Sequence, residues 1–195
     1  MKLVLATRNA HKLQELHRVM PEIELVGLPD HAELPSEDGA TFAENALAKA
    51  RAASGATSMP AIADDSGIEA AALGGAPGVR SARFAGPEAT DEENLSKLLA
   101  AVPRDGDRRV AYVCALAYAA PGEEEQLFEA RCEGRLAERP RGGGGFGYDP
   151  AFLPADAAGD RTMAELAPGE KDAISHRGRA ARMFTSWLAE RAGAV

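Results

Sequence analysis

The chain has 195 residues, with 30 acidic against 22 basic side chains and a formal net charge of −8. That length suits one domain spanning 1–195, or one domain with two lobes, and buries roughly 70% of the surface an unfolded chain exposes, so no staple is needed to hold a core. The acidic balance excludes a general grip on nucleic acid, which needs a basic face; a polyanionic ligand would require a local cationic patch or a divalent metal to offset the protein's own field.

The N-terminal MKLVLATRNAHK carries one short apolar run before Thr7 and Arg8, which fits neither a signal peptide nor a membrane span. The two cysteines, Cys114 and Cys132, lie in alternating segments with no CxxC, and read as buried free thiols of a reducing compartment. Cytoplasmic localisation, with no membrane partner, is the expectation.

KLVLA, residues 2–6, predicts a strand, and the spacing of Leu13, Leu16, Val19 and Met20 predicts a helix after Asn9. IELVGL, 23–28, reads as a second strand. TFAENALAKARAAS, 41–54, predicts a helix opened by Thr41, with Glu44 at capping-box spacing. It leads into a strand that ends at Asp64 and Asp65. GIEAAALGGAPGVRSARFAG, with paired glycines and a proline, predicts an extended piece and then a structured loop. ATDEENLSKLLAAV, 89–102, predicts a helix capped by Thr90 with Leu95, Leu98, Leu99 and Val102 inward. Arg109–Tyr118 and Gln126–Leu136 alternate as strands around a PGEEE turn. RGGGGFGYDPAFLP joins a glycine loop to a short strand, and 173–191 predicts one amphipathic helix. An α/β fold with a mixed parallel and antiparallel sheet follows.

Four polar clusters fall at strand ends or helix starts, where α/β proteins build sites. In TRNAHK, 7–12, Thr7, Arg8, Asn9, Ala10, His11 and Lys12 surround a helix N-terminus whose free amides and dipole favour phosphate oxygens; a plain N-cap with a solvated lysine accounts for the same residues. On the second helix Asn45 and Lys49 share a face, and Glu37 in the loop before it could approach Asp65. In GGGGFGYDP, glycines allow close approach to a flat ligand, Phe146 and Tyr148 offer stacking surface around Gly147, and Asp149 before Pro150 is held extended with an acceptor to offer. In EKDAISHRG, Lys171, His176 and Arg177 gather at a helix start, against the dipole preference, as if an acceptor visits them. Together these clusters are the inventory for hydrolysing a nucleoside triphosphate with a divalent metal.

The motifs LATRNAHKLQEL, EDGATFAENALAKA, PAIADDSGIEA, LGGAPGVRSARFAG, GGFGYDPAF and EKDAISHRGRA, in this order and spacing, resemble those of the inosine and xanthosine triphosphate pyrophosphatases. The resemblance implies an elongated, two-lobed α/β domain around a long central mixed sheet flanked by helices, a homodimer, and a magnesium-dependent hydrolase. Its substrates would be ITP, dITP and XTP, cleaved between the α and β phosphates to a monophosphate and pyrophosphate. By motif, Thr7 to Lys12 would hold the triphosphate, Glu37 and Asp65 would hold Mg²⁺, and Asp65 would be the general base. Ser66 would touch substrate, Phe146, Gly147, Tyr148 and Asp149 would surround the base, and Lys171, His176 and Arg177 would complete recognition. Arg8, where many relatives have glycine, and Gly143, where many have threonine, depart from the pattern without removing a functional group.

On this reading the adjacent aspartates tolerate each other because a Mg²⁺ ion lies between them. A 6-keto acceptor would meet Arg177 or His176, whereas the 6-amino group of adenine would leave those donors unpaired. A relative of the septum-inhibitor type, acting on pyrimidine or modified nucleotides, and a non-catalytic nucleotide sensor are the alternatives on the same scaffold.

Overall fold

The computed structural model describes residues 1–193. Six strands form one sheet in the order β2-β1-β3-β4-β5-β6: β1 Lys2–Leu5, β2 Glu24–Gly27, β3 Ala61–Ala70, β4 Arg109–Ala119, β5 Gln126–Leu136 and β6 Phe152–Pro154. The helices are α1 Ala10–Val19, α2 Phe42–Thr57, α3 Asp91–Ala101, α4 Pro168–Ile174 and α5 His176–Gly193. The sheet is mixed. β1 runs parallel to β2 (Lys2 opposite Glu24) and to β3 (Val4 opposite Ala61), whereas β6 runs antiparallel to β5 (Leu136 opposite Phe152). Parallel neighbours need crossovers, and α1 and α2 supply them.

The chain divides into two compact units. Unit one comprises Met1–Asp65, Cys114–Ala130 and the segment from Arg177 onward; unit two comprises Ser66–Val113 and Arg131–His176. Each has its own apolar centre. In unit one Leu3, Leu5, Leu16, Ile62, Leu116, Tyr118 and Phe184 are buried together, with Trp187 and Leu188 packed on their margin. In unit two Ile68, Leu95, Leu98, Tyr112, Tyr148, Phe152 and Met163 play the same part.

Three boundaries differ from the sequence expectation. The strand expected to end at Asp64 and Asp65 runs five residues further, to Ala70. β3 lies between β1 and β4 in the sheet, and pairing on both edges outweighs the poor strand propensity of Asp, Ser and Gly. Gly67, the first residue of the expected extended piece, belongs to this same strand. A Cβ there would collide with Ser81, which sits in a 3₁₀ turn, Gly78–Arg83, and whose hydroxyl accepts from Ile68 N–H at 2.8 Å. The C-terminal helix is two helices, broken at Ser175, whose ψ of 153° is extended. Glu44 does not close a capping box on Thr41: Thr41 Oγ1 accepts from Glu44 N–H at 3.1 Å, but the Glu44 carboxylate accepts one residue further back, from Ala40 N–H at 2.7 Å. A complete box stands on α3, where Thr90 and Glu93 each accept the other's backbone N–H.

Candidate active site

In unit one, β1 delivers the chain to a turn that caps α1. Asn9 Oδ1 accepts from the His11 and Lys12 amides at 3.0 and 3.1 Å, and Thr7 Oγ1 accepts from Asn9 N–H at 3.2 Å. The amides expected to be free are therefore already satisfied, so the positive character of this turn rests on the helix dipole and on Lys12. Arg8 turns away and donates to the carbonyl of Ala32 at 3.0 Å, tying the turn to the 30–32 loop. Ala10 opens the helix and His11 is exposed.

Asp64 and Asp65 are consecutive in a strand, so their side chains leave opposite faces, and each has its own set of cations. Lys12 Nζ lies 3.1 Å from Asp64 Oδ2. Arg177, in the first turn of α5, donates to the same oxygen from Nε and Nη2 at 3.2 and 3.1 Å, and from Nη1 to Glu15 of α1. All three of Arg177, Glu15 and Asp64 are buried. Burial opposes the Asp64 charge, but Lys12, Arg177 and Lys49 together outweigh it and hold the carboxyl far below the ordinary range. The same carboxylates, Asp64 and Glu15, outweigh the burial of the Arg177 guanidinium and raise it.

The face carrying Asp65 meets α2. Asn45 Nδ2 donates to Asp65 Oδ2 at 2.9 Å, and Lys49 Nζ stands 2.6 Å from Glu37 Oε1 and 3.5 Å from Asp65 Oδ1. Burial raises the Asp65 pKa; Lys49 and Asn45 pull it down, Glu37 pushes it up again, and the net shift is upward. Lys49 is itself buried, yet Asp65, Asp64 and Glu37 overcome desolvation and raise it, so it stays charged. Protein cations thus stand against the repulsion between the two aspartates: Lys12 and Arg177 contact Asp64, Lys49 contacts Asp65, and Lys49 and Lys12 act on both. Among the described residues no group of three or more His, Cys, Asp or Glu side chains is placed to hold a metal; the carboxylates that converge on one point are Glu37 and Asp65, at Lys49 Nζ.

In unit two the glycine loop wraps a buried carboxylate. Asp149 accepts from Tyr112 Oη at 3.0 Å, Phe146 N–H at 3.0 Å and Lys171 Nζ at 2.5 Å. It begins a 3₁₀ turn, Asp149–Ala151, instead of being extended, and its acceptors tie the loop to β4 and α4. Gly145 has φ of +71°, and a Cβ there would strike the Asp149 carboxylate, so close approach and a left-handed backbone both demand glycine. Tyr148 is buried and donates to Ser81 O at 2.7 Å; it is core and anchor, and the stacking surface expected of it is not presented. Phe146 is half-buried, with Lys171 Nζ 5.0 Å from its ring centroid. His176 is buried and stacks on Tyr112 at 4.6 Å, and Tyr112 stacks on Phe152 at 4.4 Å.

The expected residues therefore fall into two groups. Lys12, Glu37, Asp65 and Arg177 gather in unit one, with the Thr7–His11 turn. Phe146, Gly147, Tyr148, Asp149, Lys171 and His176 gather in unit two, where Ser66, half-buried, opens the chain segment. Arg177 begins a segment of unit one, where its guanidinium holds Asp64 and Glu15, whereas the ring of His176 stacks on Tyr112 in unit two. Sequence reading missed Glu15. Its spacing of three from Lys12 places both on one face of α1, and that could have flagged it. Tyr112 and Asp91, which accepts from Gly147 N–H at 2.7 Å, carried no local signal.

An α/β sheet with an anion-favouring helix start, a lysine clasped by two carboxylates and a glycine-aromatic loop defines a protein built for a charged ligand and a flat one. The Ham1 family model matches residues 3–187, and the chain belongs to the Ham1 family. It is 50% identical over 190 residues to the dITP/XTP pyrophosphatase of Cutibacterium acnes, covering 93% of each chain, and 48% identical over 186 residues to that of Geobacillus kaustophilus, covering 92% of this chain and 90% of the relative. Among solved structures it is similar to a HAM1 protein from Coxiella burnetii, with a TM-score of 0.87 and 41% identity over 97% of this chain and 99% of that one. The Staphylococcus aureus Ham1 protein gives 0.86 and 37% over 98% and 100%. No helix among the described residues is long and apolar enough to cross a membrane.

Proposed function

We propose that this chain hydrolyses deaminated purine nucleoside triphosphates, dITP, XTP and ITP, to the monophosphate and pyrophosphate. The observation that carries the reading is the meeting of Glu37 and Asp65 on one cationic nitrogen, Lys49 Nζ, in a chain about half identical to proteins named for that reaction.

The donor set fits magnesium. Two hard carboxylate oxygens that already converge on a positive charge are what Mg²⁺ takes from a protein when phosphates and water complete its shell. Glu37 and Asp65 would hold the ion, which when bound would neutralise phosphate charge and make a water easier to deprotonate.

The chain's own residues supply the rest. Asp65, with its pKa raised chiefly by burial, is a stronger base than an exposed aspartate and accepts the proton of the attacking water. Lys12 faces the departing pyrophosphate with a full positive charge. Arg177 fixes Asp64, and Asp64 in turn fixes Lys12. In unit two, Phe146 offers its ring to the base, and Lys171 offers a donor to a 6-keto oxygen. The 6-amino group of adenine would leave that donor without an acceptor. The same reading gives a cytoplasmic homodimer, in keeping with the family resemblance.

A pyrophosphate-release assay with dITP, XTP, ITP, GTP, ATP and UTP tests the proposal. The first three are expected to turn over faster than ATP by a factor of about 10² or more. Chelator abolishes the activity, and Asp65→Asn lowers kcat by about 10²–10⁴. ATP cleaved as fast as dITP would contradict the selectivity, and UTP as the best substrate would favour a septum-inhibitor type of activity.

A further inference from the structure

We propose that Asp91 is a positioning residue for the base-binding loop, acting through the backbone of Gly147. The proposal rests on the assignment of Phe146 and its neighbours to the base.

The loop before Tyr148 has little to hold it in one shape. Gly142, Gly145 and Gly147 have φ of +82°, +71° and +60°, and Gly143 and Gly144 add no side chain. Each glycine gives up more conformational freedom on ordering than any other residue. Hydrogen bonds offset that loss, three of them from amides of the loop's own residues 144, 146 and 147. Gly144 N–H donates to Ala164 O at 3.0 Å, Phe146 N–H to Asp149 Oδ2 at 3.0 Å, and Gly147 N–H to Asp91 Oδ2 at 2.7 Å. The Phe146 bond closes within three residues and so shapes the turn without orienting it. The Asp91 bond reaches across 56 residues to a helix.

Asp91 is unusual among the first-turn residues of α3 because the helix start is already served. Thr90 Oγ1 accepts from Glu93 N–H at 3.2 Å, and the Glu93 carboxylate accepts from Thr90 N–H at 2.8 Å. The Asp91 carboxylate is therefore available to accept from a distant amide, and its short 2.7 Å bond is of the charge-assisted kind. Gly147 lies directly between Phe146, whose ring stands over Lys171, and Tyr148, whose hydroxyl is tied to Ser81 O. Fixing the Gly147 peptide plane fixes the direction in which the Phe146 ring leaves the chain.

Loss of a bond that only orients a binding loop removes affinity without altering the chemical step, so KM moves and kcat does not. Asp91→Ala is expected to raise the KM for dITP about tenfold, in line with one hydrogen bond to a charged group, with kcat and inhibition by pyrophosphate unchanged. Asp91→Asn keeps an acceptor oxygen and is expected to stay within about twofold of the wild type. Amide exchange of Gly147 should quicken in Asp91→Ala and not in Asp91→Asn, a readout that stands even if dITP proves not to be the substrate. The proposal is overturned if Asp91→Ala matches the wild type, if Asp91→Asn is as impaired as Asp91→Ala, or if pyrophosphate inhibition weakens together with KM. Failure of the wild type to cleave any purine triphosphate would instead remove the functional reading and leave the exchange experiment to decide the latch.

Discussion

Unit one and unit two both bury charge, and they do so for different ends. In unit one four carboxylates, Glu15, Glu37, Asp64 and Asp65, face three cations, Lys12, Lys49 and Arg177. In unit two the buried pair Asp149 and Lys171 is set among a tyrosine hydroxyl, a backbone amide and aromatic rings. Burial, with Glu37 adding to it, makes Asp65 of unit one hold its proton more tightly than in water, against the pull of Lys49 and Asn45. In unit two the Phe146 ring has the Lys171 ammonium beside it, 5.0 Å from its centroid. The contrast teaches that buried charge can be set among other charges, as at Asp64 and Arg177, or among rings and neutral donors, as at Asp149 and Lys171; on the proposed function the first kind of surface would take the polyanion and the second the nucleobase.

The comparison breaks most visibly at Arg177. Arg177→Met takes the guanidinium away from the buried Asp64 and Glu15 carboxylates, and stability should fall by about 3–5 kcal/mol, as it does when one member of a buried ionic group is removed. Adding Asp64→Asn and Glu15→Gln removes the stranded charges and should recover much of that loss. Urea unfolding measures both. A single Arg177→Met variant as stable as the wild type would mean that the network is not a closed electrostatic unit.

A smaller effect sharpens the contrast between the two neighbouring aspartates. Asp64 is held below its ordinary range, so its contribution to stability is full above the unfolded value of about 3.9 and is lost as the pH falls toward the folded value. Asp65 is raised, so its ionisation costs stability as the pH climbs from about 3.9 through its folded value. In metal-free protein, Asp64→Asn should therefore be most destabilised relative to wild type near neutral pH. Asp65→Asn should gain relative to wild type over that same rise. Parallel pH profiles for the two variants would contradict the assignment of opposite shifts.

The legible parts of the molecule were those governed by near neighbours in sequence. Thr90 announces itself as a cap because the amide it serves lies three residues on, and β5 falls where alternation places it, at Gln126–Leu136. Asp64 and Asp65 looked like a strand terminus because their local propensity favours a turn, whereas the two-sided pairing of β3 and the cations Lys12, Arg177 and Lys49 come from distant segments. The break at Ser175 has no proline or glycine to mark it. At the site, Asp65, Lys12, Glu37 and Lys171 could be named from motif and charge, and Glu37 could be brought near Asp65, but the hydrogen-bond partners of Lys12 and Lys171 could not be named. Glu15 reads as an ordinary helix-face glutamate until Arg177 arrives from 162 residues away. Asp149 reads as a ligand acceptor until Tyr112, Phe146 and Lys171 are seen to use it.

The central claim, that the charge cluster of unit one takes the phosphates and the glycine-aromatic cluster of unit two takes the base, is tested most directly by a paired binding titration. Pyrophosphate and inosine would be titrated separately into wild type, Lys12→Ala and Phe146→Ala in the presence of magnesium. Lys12→Ala should weaken pyrophosphate about tenfold or more and leave inosine unchanged, and Phe146→Ala should do the reverse, by the roughly 1–3 kcal/mol that base stacking on an aromatic ring supplies. Equal losses for both ligands in either variant, or the opposite pairing, would contradict the account.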